Sequence, residues 1–390
     1  MHSGPDGEPL NLEDIETMAF TARRTFNSRR ALAAATAVAA VAATTVFTTQ
    51  FASAAETDVA AAQACTLETL PIPEGLFQSA KVTGMSRDGS VIAYQAEPFD
   101  YSDPETGLRH YPLLYAGGEV TEVPMPGEWQ EIADVNSKGV GAGFAFVNDV
   151  PLPYVWRDGT LTRLLGGQGF AYGINESGDI VGQVYNKDTG VTHPTVWRAG
   201  TTNPVRLALP ENAQWGAATA IANDGRIIGT ITLEGDHSGD TKPYIWSSSG
   251  VGRMLPMPAG VSLADADAHP MEINGDWVSG TLHAPGVDAP GIRWNLAKGT
   301  VEMTGLGQSE ETVAIGPDGT VVGHVWNAPT AAYQTGATVY ELPGLIDAAD
   351  NLNYDNAEAI SADGTLIAGW AVSGYEGGRE MHQAVTWTCA

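Results

Sequence analysis

Ile174-Asn175-Glu176-Ser177-Gly178-Asp179-Ile180-Val181-Gly182 sets out a pattern of apolar and polar positions that runs through most of the chain. An apolar residue is followed by a polar turn holding glycine, a β-branched pair and a small residue. Seven copies occur, beginning at Gly84, Val135, Ile174, Ile221, Ile273, Ile315 and Ile360. Short β-rich runs joined by x-D-G or N-x-x-G turns predict hairpins, because Gly and Asn accept the positive φ such turns require. The small residue closing each second strand predicts a crowded axis, with no room for a larger side chain between neighbouring repeats.

Each hairpin is followed by a strand ending in an aromatic residue, a glycine turn, and a strand ending near Leu-Pro. The aromatics are Tyr115, Trp156, Trp197, Trp246, Trp294, Tyr333 and Trp387. One aromatic per repeat at a fixed strand position predicts packing between repeats rather than a ligand site. Four strands per repeat, at a spacing of about 45 residues, predict the blades of a propeller. The seventh copy stops at Trp387-Thr388-Cys389-Ala390, where the others place their glycine turn. Its missing fourth strand is supplied by Cys65-Thr66-Leu67-Glu68-Thr69-Leu70-Pro71, which aligns with Gly159-Thr160-Leu161-Thr162-Arg163-Leu164-Leu165. The expected fold is all-β, a seven-bladed β-propeller whose last blade is completed by the N-terminal strand. The alignment puts Cys65 and Cys389, the two cysteines of the chain, on neighbouring strands at bonding distance. They are expected to form a disulfide clasp.

The repeat resembles the extracellular HAF-type repeat, whose consensus is an I-N-x-x-G-x-I-V-G stretch followed by H-A-F-x-W. The copy from Ile174 to Gly182 matches the first part, while His193-Pro194-Thr195-Val196-Trp197 and His382-Gln383-Ala384-Val385-Thr386-Trp387 match the second loosely. The likeness spans about residues 76–390 and implies a structural motif with no catalytic residue to transfer. The alanine-rich leader, the acidic seven-bladed module and the lack of other domains are also similar to the propeller-type lectin subunits of umbrella toxin particles, exported by filamentous actinobacteria. That likeness implies a glycan-binding subunit seated on a larger secreted scaffold.

The N-terminus reads as an export signal. Arg23, Arg24, Arg29 and Arg30 precede an apolar, alanine-rich run from Ala31 to Phe47, and Ala52-Ser53-Ala54 supplies an A-x-A cleavage site. Arg23-Arg24-Thr25-Phe26 resembles a twin-arginine motif without its later residues. Residues 1–54 are therefore expected to be a signal peptide, 55–64 a short linker, and 65–390 the propeller of a secreted protein. No later segment approaches the roughly 20 apolar residues of a membrane span. A formal net charge of −27 repels nucleic acid and anionic lipid, so neither is an expected partner.

In a propeller the loops between second and third strands, and between blades, gather on one face. Trp129 and Trp215 lie there, outside the regular aromatic position. With Gln130, Tyr101, Asp103, Asp236, His237 and Tyr375 they form the candidate ligand-binding set. An exposed Trp beside Gln, Asp and Asn suits sugar binding, the ring stacking on C–H faces while polar groups take hydroxyls. It equally suits a protein-interface anchor. His110, His193 and His382 precede third strands at comparable positions, which assigns them structural roles. Gly-Asp-His-Ser-Gly-Asp around His237 is an ordinary solvated loop, and Asp265-x-Asp267 lacks the oxygens of a calcium loop. No metal site and no cofactor is expected.

G-x-S-x-G, H-E-x-x-H, S-x-x-K and Walker motifs are absent, and Ser86-Arg87-Asp88-Gly89 lacks the spacer and Trp of a sialidase turn. No catalytic residue is assigned. The expected function is a secreted recognition module, lectin-like, for cell-envelope glycans, and a targeting subunit of a larger secreted toxin complex. The alternative is an extracellular glycoside hydrolase or polysaccharide lyase working from the same face.

Overall fold

The computed structural model describes residues 59–60, 65–77, 79–97, 108–236, 240–287, 291–306, 314–325, 328, 330–347, 355–376 and 379–389. The leader, including its cleavage site, lies outside them. Seven antiparallel sheets follow one another along the chain, as the repeat predicts. Blade 1 runs from Ser79–Met85 to Glu119–Glu122, blade 2 from Glu128–Val135 to Thr160–Arg163, and blade 3 from Gly169–Ile174 to Pro204–Arg206. Blade 4 runs from Ala213–Ile221 to Gly252–Met254, blade 5 from Asp267–Asn274 to Thr300–Met303, and blade 6 from Ala314–Ile315 to Thr338–Glu341. Blade 7 holds Asn356–Ile360, Leu366–Glu376 and Arg379–Cys389. The first strand of each blade touches the first strand of the next, and that of blade 7 touches blade 1, so seven inner strands close a ring.

Burial follows from this order. Second strands such as Val91–Glu97 are buried along their whole length, covered on both sheet faces by neighbouring blades. Fourth strands such as Glu119–Glu122 and Thr160–Arg163 are mostly exposed and read as polar. The first strands of blades 1, 2, 3, 4, 5 and 7 each bulge, at Thr83, Ala133, Tyr172, Thr219, Met271 and Glu358, and those of blades 2 and 4 have a second irregularity nearer their start. Such bulges bend and twist a strand, which suits the tight curvature beside an axis.

The repeated residues now acquire mechanical roles. Asn136 Nδ2 donates to Asn175 O at 3.1 Å in the next blade, and Asn274 Nδ2 donates to Ile315 O at 3.1 Å. Asn136 Oδ1 meanwhile accepts from its own turn, from Lys138 N and Val140 N. One amide thus shapes a turn and ties two blades. In blades 1 and 7 Ser86 and Ser361 take only the turn role, each accepting from the strand that follows. The repeated Trp residues are core, as expected. Trp197, Trp246, Trp294 and Trp387 donate their indole N–H to Leu165 O, Ala208 O, Pro256 O and Pro343 O in the loop leaving the preceding blade.

The small residue after each β-branched pair has a reason other than blade-to-blade crowding. A Cβ on Gly182 would lie 2.0 Å from Phe170 O, and one on Gly229 would lie 1.9 Å from Ala217 O. Both obstacles belong to the same blade's own inner strand.

Ring closure matches the sequence reading. Cys65–Thr69 pairs antiparallel with Arg379–Cys389 as the fourth strand of blade 7. Cys65 lies directly opposite Cys389, with a Cα–Cα distance of 4.2 Å, and the two are disulfide-bonded. Just upstream, Val59–Ala60 runs parallel to Val339 and Tyr340, adding a fifth strand to the outer edge of blade 6. Among the described residues no helix is long and apolar enough to cross a membrane.

Candidate functional site

The two ends of the ring differ. One end carries the turns between first and second strands, and there Arg87 of blade 1 reaches blade 5. Its guanidinium bonds the Glu272 carboxylate and, at 2.7 Å, Ile273 O. Blades 1 and 5 are not neighbours, so this pair bridges the axis. The other end, the hairpin face, carries the hairpins between second and third strands together with the connections between blades. The sequence-predicted ligand residues that are described lie on it.

Trp129 opens blade 2 with φ of 49°, a left-handed conformation uncommon for a bulky residue. Its N–H donates to Leu108 O at 2.8 Å, and its ring meets His110 edge-on at 5.2 Å. Gln130 is only 2% exposed. Its Oε1 accepts from His110 N at 3.0 Å and its Nε2 donates to Gly127 O at 2.5 Å. The carboxamide is thus committed to backbone, and Gln130 acts as a brace behind the surface. Trp215 is half-buried on a different aromatic group. Phe144 and Phe170 lie 4.9 Å apart, Phe146 and Phe170 6.0 Å, and Phe170 stacks on Tyr172 at 5.6 Å. Trp215 and Phe146 cap this cluster across blades 2, 3 and 4. Phe146 also lies in register with Glu128, the neighbour of Trp129, and the hairpin face carries two aromatic sites, Trp129 against His110 and Trp215 against this cluster.

The remaining candidates are dispersed. Tyr375 stands 39% exposed near the tip of the blade 7 hairpin. Asp236 accepts from Leu233 N at 3.1 Å and lies 3.9 Å from Lys242 Nζ, while that ammonium donates to Ala266 O. Tyr101, Asp103 and His237 lie outside the described residues.

A charged network missing from the sequence reading occupies the seam between blades 7 and 1. Lys81 Nζ lies 3.3 Å from Glu97 Oε1 and 4.8 Å above the Trp370 ring. His382 packs edge-on against the same ring at 4.7 Å, with Nδ1 3.8 Å from Glu97 and Nε2 3.5 Å from Glu380. Trp370 Nε1 donates to Glu358 Oε1 at 3.1 Å. Burial pushes the Glu97 carboxyl up, but Lys81, His382 and His110 outweigh it and hold the group well below the usual carboxylate range. Burial brings His110 down to about 4; Glu97 opposes that shift and Lys81 reinforces it. His110 is therefore neutral at ordinary pH. The available signal was a charge at each of two strand positions otherwise surrounded by apolar residues, Lys81 and Glu97.

At the start of blade 5, Asp267 Oδ1 accepts from Thr241 N at 2.8 Å and Thr241 Oγ1 at 2.6 Å, while Oδ2 lies 3.0 Å from His269 Nε2. Burial raises the Asp267 carboxyl, and the bonds from His269 and Thr241 bring it below its ordinary value. Among the described residues no group of three His, Cys, Asp or Glu side chains is arranged to hold a metal ion.

No family model and no curated protein matches the chain. Solved structures do resemble it. An oligogalacturonate lyase from Vibrio parahaemolyticus superposes with a TM-score of 0.54 at 10% identity, covering 84% of this chain and 98% of that one. The β-propeller domain of the Trilobed protease from Pyrococcus furiosus gives a TM-score of 0.52 at 11% identity, over 80% of this chain and 94% of that one. That domain is described as having an open velcro topology, whereas here a shared sheet and a disulfide close the last blade. At such identities the likeness is one of fold, and by fold the chain is a seven-bladed β-propeller.

Proposed function

We propose that this protein is an exported recognition module that binds glycans through its hairpin face. The observation that carries the reading is the pair of half-buried aromatic sites on the hairpin face, Trp129 against His110 and Trp215 against Phe144, Phe146, Phe170 and Tyr172. Rings fixed in this way offer flat faces to sugar C–H groups with little entropy left to lose on binding. The axis-spanning Arg87–Glu272 pair at the opposite end favours the hairpin face as the one a ligand enters. A disulfide clasp suits an oxidising compartment outside the cytosol. The likeness to umbrella-particle lectin subunits supports a targeting subunit carried by a larger secreted scaffold.

A glycan array probed with the tagged protein tests this, alongside Trp129→Ala/Trp215→Ala. Signals on defined glycans that the double variant loses are expected. An array without signal, together with unchanged attachment of the variant to cells, would overturn the reading.

A second reading, a hydrolase or lyase, draws on the Asp267–His269 pair, since a carboxylate that orients an imidazole builds a general base. It predicts turnover of a polysaccharide panel that His269→Gln abolishes.

A further inference from the structure

A cavity of about 280 Å³ opens beside Trp129, between the start of the third strand of blade 1, Tyr111–Ala116, and the loop at 123–126 that leads into blade 2. It falls just below the roughly 300–1,000 Å³ of pockets that enclose drug-sized ligands, which suits one sugar ring rather than a chain. Arg109, Tyr111, Glu122, Met125 and Pro126 line it, with the buried Gln130 behind.

The walls are held before any ligand arrives. Val123 N donates to Pro112 O at 2.9 Å, pinning the loop onto the strand. Arg109 sits between two further ties, because Leu108 O accepts from Trp129 N and His110 N donates to Gln130 Oε1. The two residues singled out in the sequence therefore position a third. The Arg109 guanidinium lies 5.3 Å from the centre of the Tyr111 ring and forms no ion pair among the described residues. Arg87, Arg198, Arg226 and Arg293 each face a carboxylate, while Arg157, Arg163, Arg206 and Arg253, like Arg109, form no ion pair among the described residues and do not line this cavity.

The geometry points to a subsite for a carboxylate-bearing sugar, a uronate residue of an acidic glycan, and this assignment rests on the glycan-binding reading above. A guanidinium fork matches a planar carboxylate with two parallel bonds, and an unpaired one has that capacity free. The face of Tyr111 beside it suits the C–H side of a pyranose, and Glu122 on the facing wall accepts from sugar hydroxyls. One cation opposite one carboxylate, on a chain of net charge −27, accommodates a monoanion and disfavours a phosphate or sulfate dianion.

Calorimetry with β-1,4-linked triglucuronate and with cellotriose, its neutral counterpart, tests the assignment on the secreted protein, on Arg109→Gln and on Arg109→Lys. The wild type is expected to bind triglucuronate at least tenfold more tightly than cellotriose. Arg109→Gln should remove that preference without changing the melting temperature, and Arg109→Lys should retain only part of it. Equal affinities in the wild type, or a preference that survives Arg109→Gln, would overturn the subsite while leaving glycan recognition standing. Binding of neither sugar, with an empty glycan array, would remove both.

Discussion

Arg87 and Glu272, separated by 185 residues and by the central axis, form an ion pair between two blades that do not otherwise adjoin. Each side chain is about a quarter exposed, so solvent screens the pair incompletely. Glu272 Oε2 also accepts from Ile315 N at 3.1 Å, which extends the tie into blade 6. Arg87→Met is expected to lower stability by about 2 kcal/mol, since it leaves a half-buried carboxylate without its cation. Urea unfolding measures this; a midpoint equal to that of the wild type would mean that the bridge contributes nothing.

The clasp should matter more. On a chain-entropy treatment, a disulfide that spans 324 residues of sequence contributes roughly 5 kcal/mol, with less expected after native-state strain and residual structure. Cys65→Ser/Cys389→Ser is expected to melt well below the wild type. Wild type scanned in reductant should fall toward the double variant, and a melting curve indifferent to reductant would contradict it.

Acid should weaken the ring through the blade 7–blade 1 seam. The folded state holds His110 at about 4 against an ordinary 6.5, so the unfolded chain binds more protons between those values. Stability present above 6.5 is therefore lost as pH falls toward 4, at up to about 1.4 kcal/mol per pH unit. Glu97, depressed from 4.5, adds a further loss below that pH. His110→Gln should flatten the melting temperature between pH 6.5 and 4, and Glu97→Gln should change only the more acid limb. Parallel curves for all three proteins would show that these groups do not carry the pH response.

Two substitutions of Asn136 test its bond to the next blade while leaving the turn in place. Asn136→Asp keeps the acceptor for Lys138 N and Val140 N but loses the donor to Asn175 O, at a buried position. It is expected to cost about 1–3 kcal/mol. Asn136→Ser recreates the turn found at Ser86 and Ser361 and should be milder. Equal losses would place the whole effect in the missing bond to Asn175 O, with no added penalty from the buried carboxylate.

The legible parts of this molecule were those that recur. Repetition located every blade, assigned Trp197, Trp246, Trp294 and Trp387 to the core, and brought Cys65 opposite Cys389. Contacts used once left no such trace. Nothing in a repeat announces that Arg87 crosses the axis, since register relates neighbouring strands and not distant blades. Gln130 was read as a ligand group because amides suit sugars, yet its depth in the bulged start of blade 2 commits it to His110 and Gly127. Arg109 drew no attention in the sequence because its surroundings come from two blades. Phe144 falls where other copies have Gln95, Gln183, Thr230 or Thr281, and Tyr172 at the bulge held elsewhere by Thr83, Ala133, Thr219, Met271 or Glu358, so only the assembled ring shows these aromatics as one surface.

The strand from Cys65 to Thr69 completes its sheet with a strand that lies 324 residues further along the chain, measured between the two cysteines. The final sheet therefore stays unfinished until both of these strands are present, and contacts so far apart in sequence form slowly. A chain cut short anywhere before Arg379 never shuts at all.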